Sequence, residues 1–404
     1  MNDLGQAKNL DREVYMLGGG NPGSIPEMEK HFREELESLL AEDATFEKLV
    51  GHYDSPQGNA GFLNALSELM KSEFGWPVSD KNIAITNGSQ SSFGVLFSLF
   101  AGEFPDGSEK HILLPLTPEY IGYSDTGPGT GKTFRSNMPV ITDVSEDGNR
   151  FFKYSVDFDS VSTGEHCGAI CVSRPTNPTG NVITDEELEN LRAISRESDI
   201  PLIIDGAYGL PFPGITFTPA LPIWDNNIIL CLSLSKLGLA GVRTGIVIAD
   251  TPVIEKLKSS NAVFSLAPGG FGPALVTRLI REKILLGLCD KIIRPFYRSK
   301  KDFALEIVYD AMKHLPVRIH RPEGAMFLWL WFEGLPISCE ELYQNLKSRN
   351  VYVIAGHHFF PGLEDQNWKH KHECIRVSYA GHPETVRQGI KLIADEATKA
   401  YHQR

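Results

Sequence analysis

The apolar residues of this chain fall into two kinds of segment. Between about 83 and 250 they come in short unbroken runs, at 82–86, 112–116, 168–173, 202–204, 228–232 and 245–249. Runs this short, without alternation, suit strands covered on both faces. Polar stretches of helical spacing separate them, and Thr184-Asp-Glu-Glu187 makes a capping box that opens a helix to about residue 198. Strand–helix alternation predicts an α/β unit with a largely parallel sheet. Residues 26–42 and 58–74 also read as helices, and 1–16 as a helix and lead-in. After about 272 the pattern changes. A long helical stretch covers 272–314 with an interruption near Pro295, then strands follow at 327–331, 351–354 and 375–378 with helices between and after them. This predicts a second, smaller α+β domain.

Length and charge narrow the function classes. With 404 residues, 42% hydrophobic and 22% charged, the chain can bury a large core and form about two domains. The net charge of -12 comes with no basic cluster, so neither nucleic acid nor an anionic membrane is an expected partner. No apolar run reaches the ~18–20 residues of a spanning helix. Met1-Asn-Asp-Leu-Gly-Gln lacks a basic-then-apolar leader. The six cysteines, at 167, 171, 231, 289, 339 and 374, are scattered without a Cys-x-x-Cys pair. They read as reduced core thiols of a cytoplasmic protein.

The candidate chemistry begins at Lys236. The run at 228–232 leads into Ser233-Leu-Ser-Lys236-Leu-Gly-Leu-Ala-Gly-Val-Arg243. A lysine ending an inner strand is costly to bury as a cation, and burial lowers its pKa and makes the amine nucleophilic. Ser233, Ser235 and a buried Arg243 can hold a phosphate. Ile83-Ala-Ile-Thr-Asn-Gly88-Ser89-Gln90 reads as strand, tight turn and helix start. Its free N–H groups suit an anion, although Ser89 is also a plain N-cap. A nucleophilic lysine beside a phosphate anchor points to bound pyridoxal phosphate.

Further strand ends supply groups for its ring. Leu202-Ile-Ile-Asp205-Gly-Ala-Tyr208 ends in a carboxylate that needs a partner, either a helix start or a protonated pyridine nitrogen. Tyr208, and Asn177 in Ser173-Arg-Pro-Thr-Asn177-Pro-Thr-Gly180, can donate to a phenolic oxygen, although Asn177 also suits a turn. Leu116-Thr-Pro-Glu-Tyr120 offers a ring to stack on. These sites all end strands at the carboxyl edge, where open α/β sheets bind ligands. In Glu373-Cys-Ile-Arg376-Val-Ser-Tyr379, Arg376 is either an ion-paired strand residue or a fork for a substrate carboxylate.

Taken in order, Asn177-Pro-Thr-Gly180, Asp205-Gly-Ala-Tyr208, Ser233-Leu-Ser-Lys236 with Arg243, and Arg376 resemble the fold-type I pyridoxal-phosphate-dependent aminotransferases. The match runs from Gly18 to Tyr379. Arg243 follows Lys236 by seven residues, as in the aminoadipate- and kynurenine-type branch, where many relatives have eight. Leu17-Gly-Gly-Gly-Asn-Pro22, Pro118-Glu-Tyr-Ile-Gly-Tyr123, Pro211-Phe-Pro-Gly214, Pro268-Gly-Gly and Glu323-Gly-Ala-Met-Phe-Leu-Trp-Leu-Trp-Phe332 are similar to the bacterial valine–pyruvate group of that family.

The resemblance implies an α/β fold with a large cofactor-binding domain over 46–285 and a small domain from 1–45 and 286–404. It implies that Lys236 carries pyridoxal 5'-phosphate and moves the proton, while Asp205 pairs with the pyridine nitrogen. Asn177 and Tyr208 would contact the phenolic oxygen, and Tyr120 would stack on the ring. Ser89, Gln90, Ser233, Ser235 and Arg243 would hold the phosphate. Arg376 would take the substrate carboxylate beside Gly20 and Asn177. Tyr53, in His52-Tyr-Asp-Ser-Pro-Gln-Gly58, would reach a partner subunit's phosphate, which implies a homodimer with shared sites. The implied reaction is ping-pong transamination between valine, alanine or 2-aminobutyrate and a 2-oxo acid such as pyruvate. A broader aminoadipate- or kynurenine-type enzyme and a C–S lyase would use the same cofactor set and stay open. A cofactor-sensing regulator would need a DNA-binding unit, for which the ~17 residues before Gly18 leave too little room.

Other signals carry less. Thr126-Gly-Pro-Gly-Thr-Gly-Lys132-Thr133 misses the first glycine of a nucleotide P-loop and reads as a surface loop. Gly18-Gly-Gly20 lacks the strand–helix frame of a dinucleotide fingerprint. The spacing of His357, His358, His370 and His372 with Asp365 and Cys374 fits no familiar metal motif, so no metal is expected and these read as solvated loop histidines. In Gly356-His-His-Phe-Phe360, which resembles a substrate-side loop, one aromatic is expected to line the cleft.

Overall fold

The computed structural model describes residues 13–127, 133–146 and 148–402. Most of the helix expected at 1–16 and the centre of the 126–133 loop lie outside these. Tyr15–Met16 is a short strand.

The unbroken apolar runs form an eight-stranded central sheet. Its order is Ile83–Thr86, Gly245–Ile248, Ile228–Ser233, Leu202–Asp205, Cys167–Ser173, Glu109–Leu114 and Gly102–Glu103, with Phe134–Ser136 also paired to Glu109–Leu114. Gly245–Ile248 runs against both of its neighbours, and Gly102–Glu103 runs against Glu109–Leu114. The other pairs are parallel. Five of these strands are buried at every position, because alternate side chains enter two different cores. Ala84, Cys171, Ile203, Cys231 and Val247 pack with Phe93 and Phe97 of the helix Ser89–Phe100 and with Ile254 and Leu257 of Thr251–Phe264. Ile83, Ile85, Val172, Ile204 and Leu232 face the main core on the other side. The strand expected at 112–116 is Glu109–Leu114. It ends before Pro115, which has no N–H for the ladder.

The predicted helices form as Pro26–Ala41, Ala60–Phe74 and Asp185–Glu197. In the last, Thr184 and Glu187 cap each other's backbone N–H groups at 3.0 and 2.8 Å. The 272–314 stretch breaks twice. Phe271–Arg281 ends before Lys283, whose φ is +59°, and the chain resumes at Ile284–Leu288. A π-turn over Cys289–Ile293 then precedes Arg294–Ala311. Pro295 explains that widened turn, since it offers no N–H and crowds the preceding carbonyls.

The second sheet has six strands, in the order Ile354–Ala355, Cys374–Ser378, Phe327–Phe332, Val317–His320, Phe151–Ser155 and Val140–Asp143. The run expected at 351–354 divides at Val353. Val351–Tyr352 pairs with Tyr15–Met16, whereas Ile354–Ala355 pairs with Cys374–Ser378. Ser378 also donates to Leu17 O at 2.7 Å, so the segment entering Gly18 is held against the end of the arginine strand.

Candidate active site

Parallel pairing lines up three strand ends. Ser173 is in register with Asp205, and Asp205 with Cys231, two residues before Ser233. On the far side Ser233 aligns with Gly245 and Gly245 with Thr86. One sheet edge therefore presents the carboxylate, the serines and the turn to Lys236. That turn closes because Ser235 N–H donates to Ser233 Oγ at 3.1 Å and Gly238 takes a φ of +110°.

Lys236 is half-buried, and its Nζ donates to Gly20 O at 2.6 Å. It stands 5.2 Å from the centre of the Tyr208 ring. Burial, reinforced by the charges of Arg376 and Arg243, lowers its pKa to about 8 against the pull of Asp205. With that pKa about a tenth of this amine is neutral and nucleophilic at pH 7, far more than for an ordinary lysine.

Asp205 is buried and accepts from Ala207 N–H at 2.9 Å and from the Tyr123 hydroxyl at 2.7 Å. Burial raises its pKa despite these bonds. Behind it lies a second acid that sequence reasoning passed over. Glu119 is buried and accepts from Ser173 N–H at 2.8 Å, from the Ser173 hydroxyl and from Tyr120 N–H. Burial pushes its pKa to about 8. Tyr123, 3.4 Å from Ser173 Oγ, links the two acids. The motif around Pro118 pointed to Tyr120. The partners of Glu119 and Tyr123 are 54 and 82 residues away, with no local signal to reveal them.

The phosphate-binding candidates converge at the start of Ser89–Phe100, a helix without a side-chain cap. Gly88 precedes it with φ +93° and ψ 154°, a conformation open essentially only to glycine. A Cβ there would collide with the Arg243 guanidinium. Gln90 Nε2 donates to Gly122 O at 2.9 Å, and Arg243 Nη1 stands 3.5 Å from Ser235 Oγ. Arg243, expected to be buried, is exposed. It sits in the left-handed region at the end of the turn Ala240–Val242.

Arg376 is buried in the strand Cys374–Ser378. It donates to Asn177 Oδ1 at 2.7 Å and to Gly18 O at 2.6 Å. Burial lowers its pKa to about 10, which leaves it cationic at neutral pH. Its buried Nε has no partner among the described residues. Phe359, from the loop expected to put an aromatic in the cleft, is instead buried with its ring 5.2 Å from the Arg376 guanidinium, and Ile354 faces the cleft.

All the site residues expected from the sequence except Tyr53 line one cleft of about 290 Å³. Tyr53 is 81% exposed and takes no part in the cleft of its own subunit.

Comparison with known proteins gives the cleft its context. The profile of aminotransferase class I and II matches residues 29–393. This chain belongs to that aminotransferase family. Valine–pyruvate aminotransferase of Escherichia coli is 48% identical to it over 388 residues, 96% of this chain and 92% of that protein. Two solved structures are also similar. One, from Psychrobacter arcticum and assigned as an amino-acid aminotransferase, has a TM-score of 0.97 at 45% identity, covering 100% of this chain and 95% of that one. The other, valine–pyruvate aminotransferase from Salmonella typhimurium, has a TM-score of 0.91 at 46% identity, covering 100% and 99%.

The cofactor of this aminotransferase is pyridoxal 5'-phosphate. The donor set fits it. A depressed lysine, a buried carboxylate with no cationic hydrogen-bond partner among the described residues, and a cradle of N–H, hydroxyl and guanidinium donors face one another across the cleft. The Gly88 backbone leaves the cradle open.

Proposed function

We propose that this aminotransferase moves an amino group from valine to pyruvate, giving 2-oxoisovalerate and alanine in a ping-pong cycle. The observation that carries this reading is the make-up of the cleft. Among the described residues lining it, the cations are Lys236, Arg243 and Arg376. Lys236 is committed to the cofactor and Arg243 to its phosphate, so Arg376 is left for one carboxylate. The side-chain walls include Ile121 and Ile354, which suit a small branched apolar group, and a second acidic group would find no counter-charge. The 48% identity to the Escherichia coli enzyme supports the same substrate pair. An apolar pocket separates side chains differing by a methylene only about 10–200-fold, so alanine and 2-aminobutyrate should also react.

When bound, pyridoxal phosphate withdraws electrons from the substrate's α-carbon and so acidifies its proton. The chain's own residues do the rest. Arg376, held by Asn177 and Gly18, grips the α-carboxylate with two parallel bonds. Asp205 would pair with the pyridine nitrogen and keep it protonated. Asn177 and Tyr208 would orient the phenolic oxygen, and Tyr120 would form one wall. Ser89, Gln90, Ser233, Ser235 and Arg243 would hold the phosphate. Lys236, with its lowered pKa, would take the α-proton of the substrate and deliver it to the cofactor's aldehyde carbon.

The assembly we propose is a homodimer in which Tyr53 completes the other subunit's phosphate site. Tyr53, Val263 and Phe264 are 81%, 82% and 80% exposed. Asn261 Nδ2 donates to Pro56 O at 2.8 Å, which holds the Tyr53 loop beside the helix Thr251–Phe264. Large apolar side chains exposed on adjoining segments suit an interface. All six cysteines are buried free thiols, which suits the reducing cytoplasm. No helix among the described residues is long and apolar enough to cross a membrane.

A panel of amino donors with pyruvate, followed by alanine formation, tests the substrate. Valine should lead. A strong preference for aromatic or acidic donors would overturn the valine assignment and leave transamination intact.

A further inference from the structure

The fold brings together ligand types that lie far apart in sequence, at a place the transamination does not use. Cys339 begins the helix Cys339–Ser348, His357 lies in the turn Gly356–Phe359 and His372 in the turn Lys369–His372. One ligand atom from each lies within 4.8 Å of the other two. From these positions we infer a binding site for a zinc-like divalent metal formed by the Cys339 thiolate and the imidazoles of His357 and His372, with one coordination position open to solvent.

The Cys339–His357 separation matches zinc geometry. Tetrahedral zinc, with bonds of about 2.3 Å to sulfur and 2.0–2.1 Å to nitrogen, holds a thiolate and an imidazole about 3.5 Å apart. Cys339 Sγ and His357 Nδ1 stand 3.4 Å apart. The sulfur is buried, and burial raises its pKa although backbone N–H groups of Gly356 and His357 point towards it, so a metal would bind it with release of a proton. A ligating histidine commonly turns its other ring nitrogen to a carboxylate. With Nδ1 facing Cys339, His357 Nε2 lies 4.0 Å from Glu340 Oε2. Thiolate and Glu340 together balance a divalent charge. The neighbouring Lys371 ammonium is turned away, donating to the carbonyls of Leu363 and Glu364 at 2.7 and 2.8 Å.

The spacing of the histidines fitted no metal motif because the thiolate comes from Cys339, on another element. His370, grouped with them by sequence, is buried against Tyr154 instead. His372 is exposed, and the cluster borders an open cleft of about 700 Å³, so a metal has an entry path. The site would tie together three segments. One of them carries Phe359, which packs against Arg376 and accepts from Glu119 N–H at 2.8 Å.

Equilibrium dialysis of the tag-free, cofactor-loaded enzyme against Zn²⁺, with elemental analysis, tests the site, and Co²⁺ serves as a spectroscopic probe. One metal per subunit is expected, with visible tetrahedral Co²⁺ bands beyond the cofactor's own absorption and a higher Tm with Zn²⁺. Cys339→Ser and His372→Ala should each weaken Zn²⁺ binding by more than about 100-fold, and Glu340→Gln by about 10–100-fold. Because His372 is exposed, its variant keeps the test valid should Cys339→Ser fold poorly. His358→Ala should bind normally. Absence of stoichiometric metal would overturn the inference, as would binding that survives His372→Ala and is lost in His358→Ala.

Discussion

At the residue scale the site works through what burial does to a few ionisable groups. Arg376 stays charged in a buried strand because Asn177 and the Gly18 carbonyl take two of its donors. Lysine there would keep the charge and lose the fork. Arg376→Lys should therefore lower kcat/KM for valine by about 10–100-fold, as expected for a charge-assisted bond worth about 1.5–3 kcal/mol. Steady-state kinetics check this, with the cofactor's absorbance unchanged. Glu119 makes a pH prediction. Its folded pKa of about 8 lies above the ordinary value near 4.3. The stability it contributes is complete below the unfolded pKa and is lost as pH rises to the folded one. Glu119→Gln should remove that loss, so the variant gains on the wild type between about pH 5 and 9 in thermal melts. Parallel Tm–pH curves would contradict this. Lys236, Asp205, Asn177 and Arg376 were legible in the sequence because each ends or interrupts an apolar run where its type is costly. Glu119 and Tyr123 were not, because their role depends on a hydrogen-bond chain closed by Ser173 and Asp205.

At the scale of elements, the cradle depends on one backbone conformation. Gly88 takes φ +93° and leaves the space that the Arg243 guanidinium fills. Gly88→Ala should cost at least about 1–3 kcal/mol through backbone strain alone and weaken cofactor binding as well. Urea unfolding and cofactor titration measure the two effects. Local chemistry made much of the element order readable. The box at Thr184 started its helix, and Pro295 disturbed a helix where a proline must. The strand expected to run to 116 stopped at Leu114 because of Pro115, a cue present in the sequence. Strands Val140–Asp143 and Phe151–Ser155 were not foreseen. Phe151–Ser155 alternates buried and half-buried positions and joins Val317–His320 across more than 160 residues, a pairing set by tertiary packing, and the more exposed Val140–Asp143 adds to its outer side.

At the scale of the molecule, one chain supplies every candidate group except Tyr53. If Tyr53 serves the neighbouring subunit, activity requires the dimer. Phe264→Asp places a charge on the exposed apolar surface and should yield monomers with weakened cofactor binding, seen by sedimentation and by cofactor dissociation. A wild-type enzyme that is monomeric and fully active would contradict the shared site. Everything in this site turns on Lys236, at the sheet edge opposite Asp205, as the residue proposed to hold the cofactor. Borohydride reduction of the loaded enzyme followed by peptide mapping is the decisive experiment. One pyridoxyl group per subunit is expected, on the peptide containing Lys236. A label on another lysine, such as Lys153 or Lys371, would contradict it.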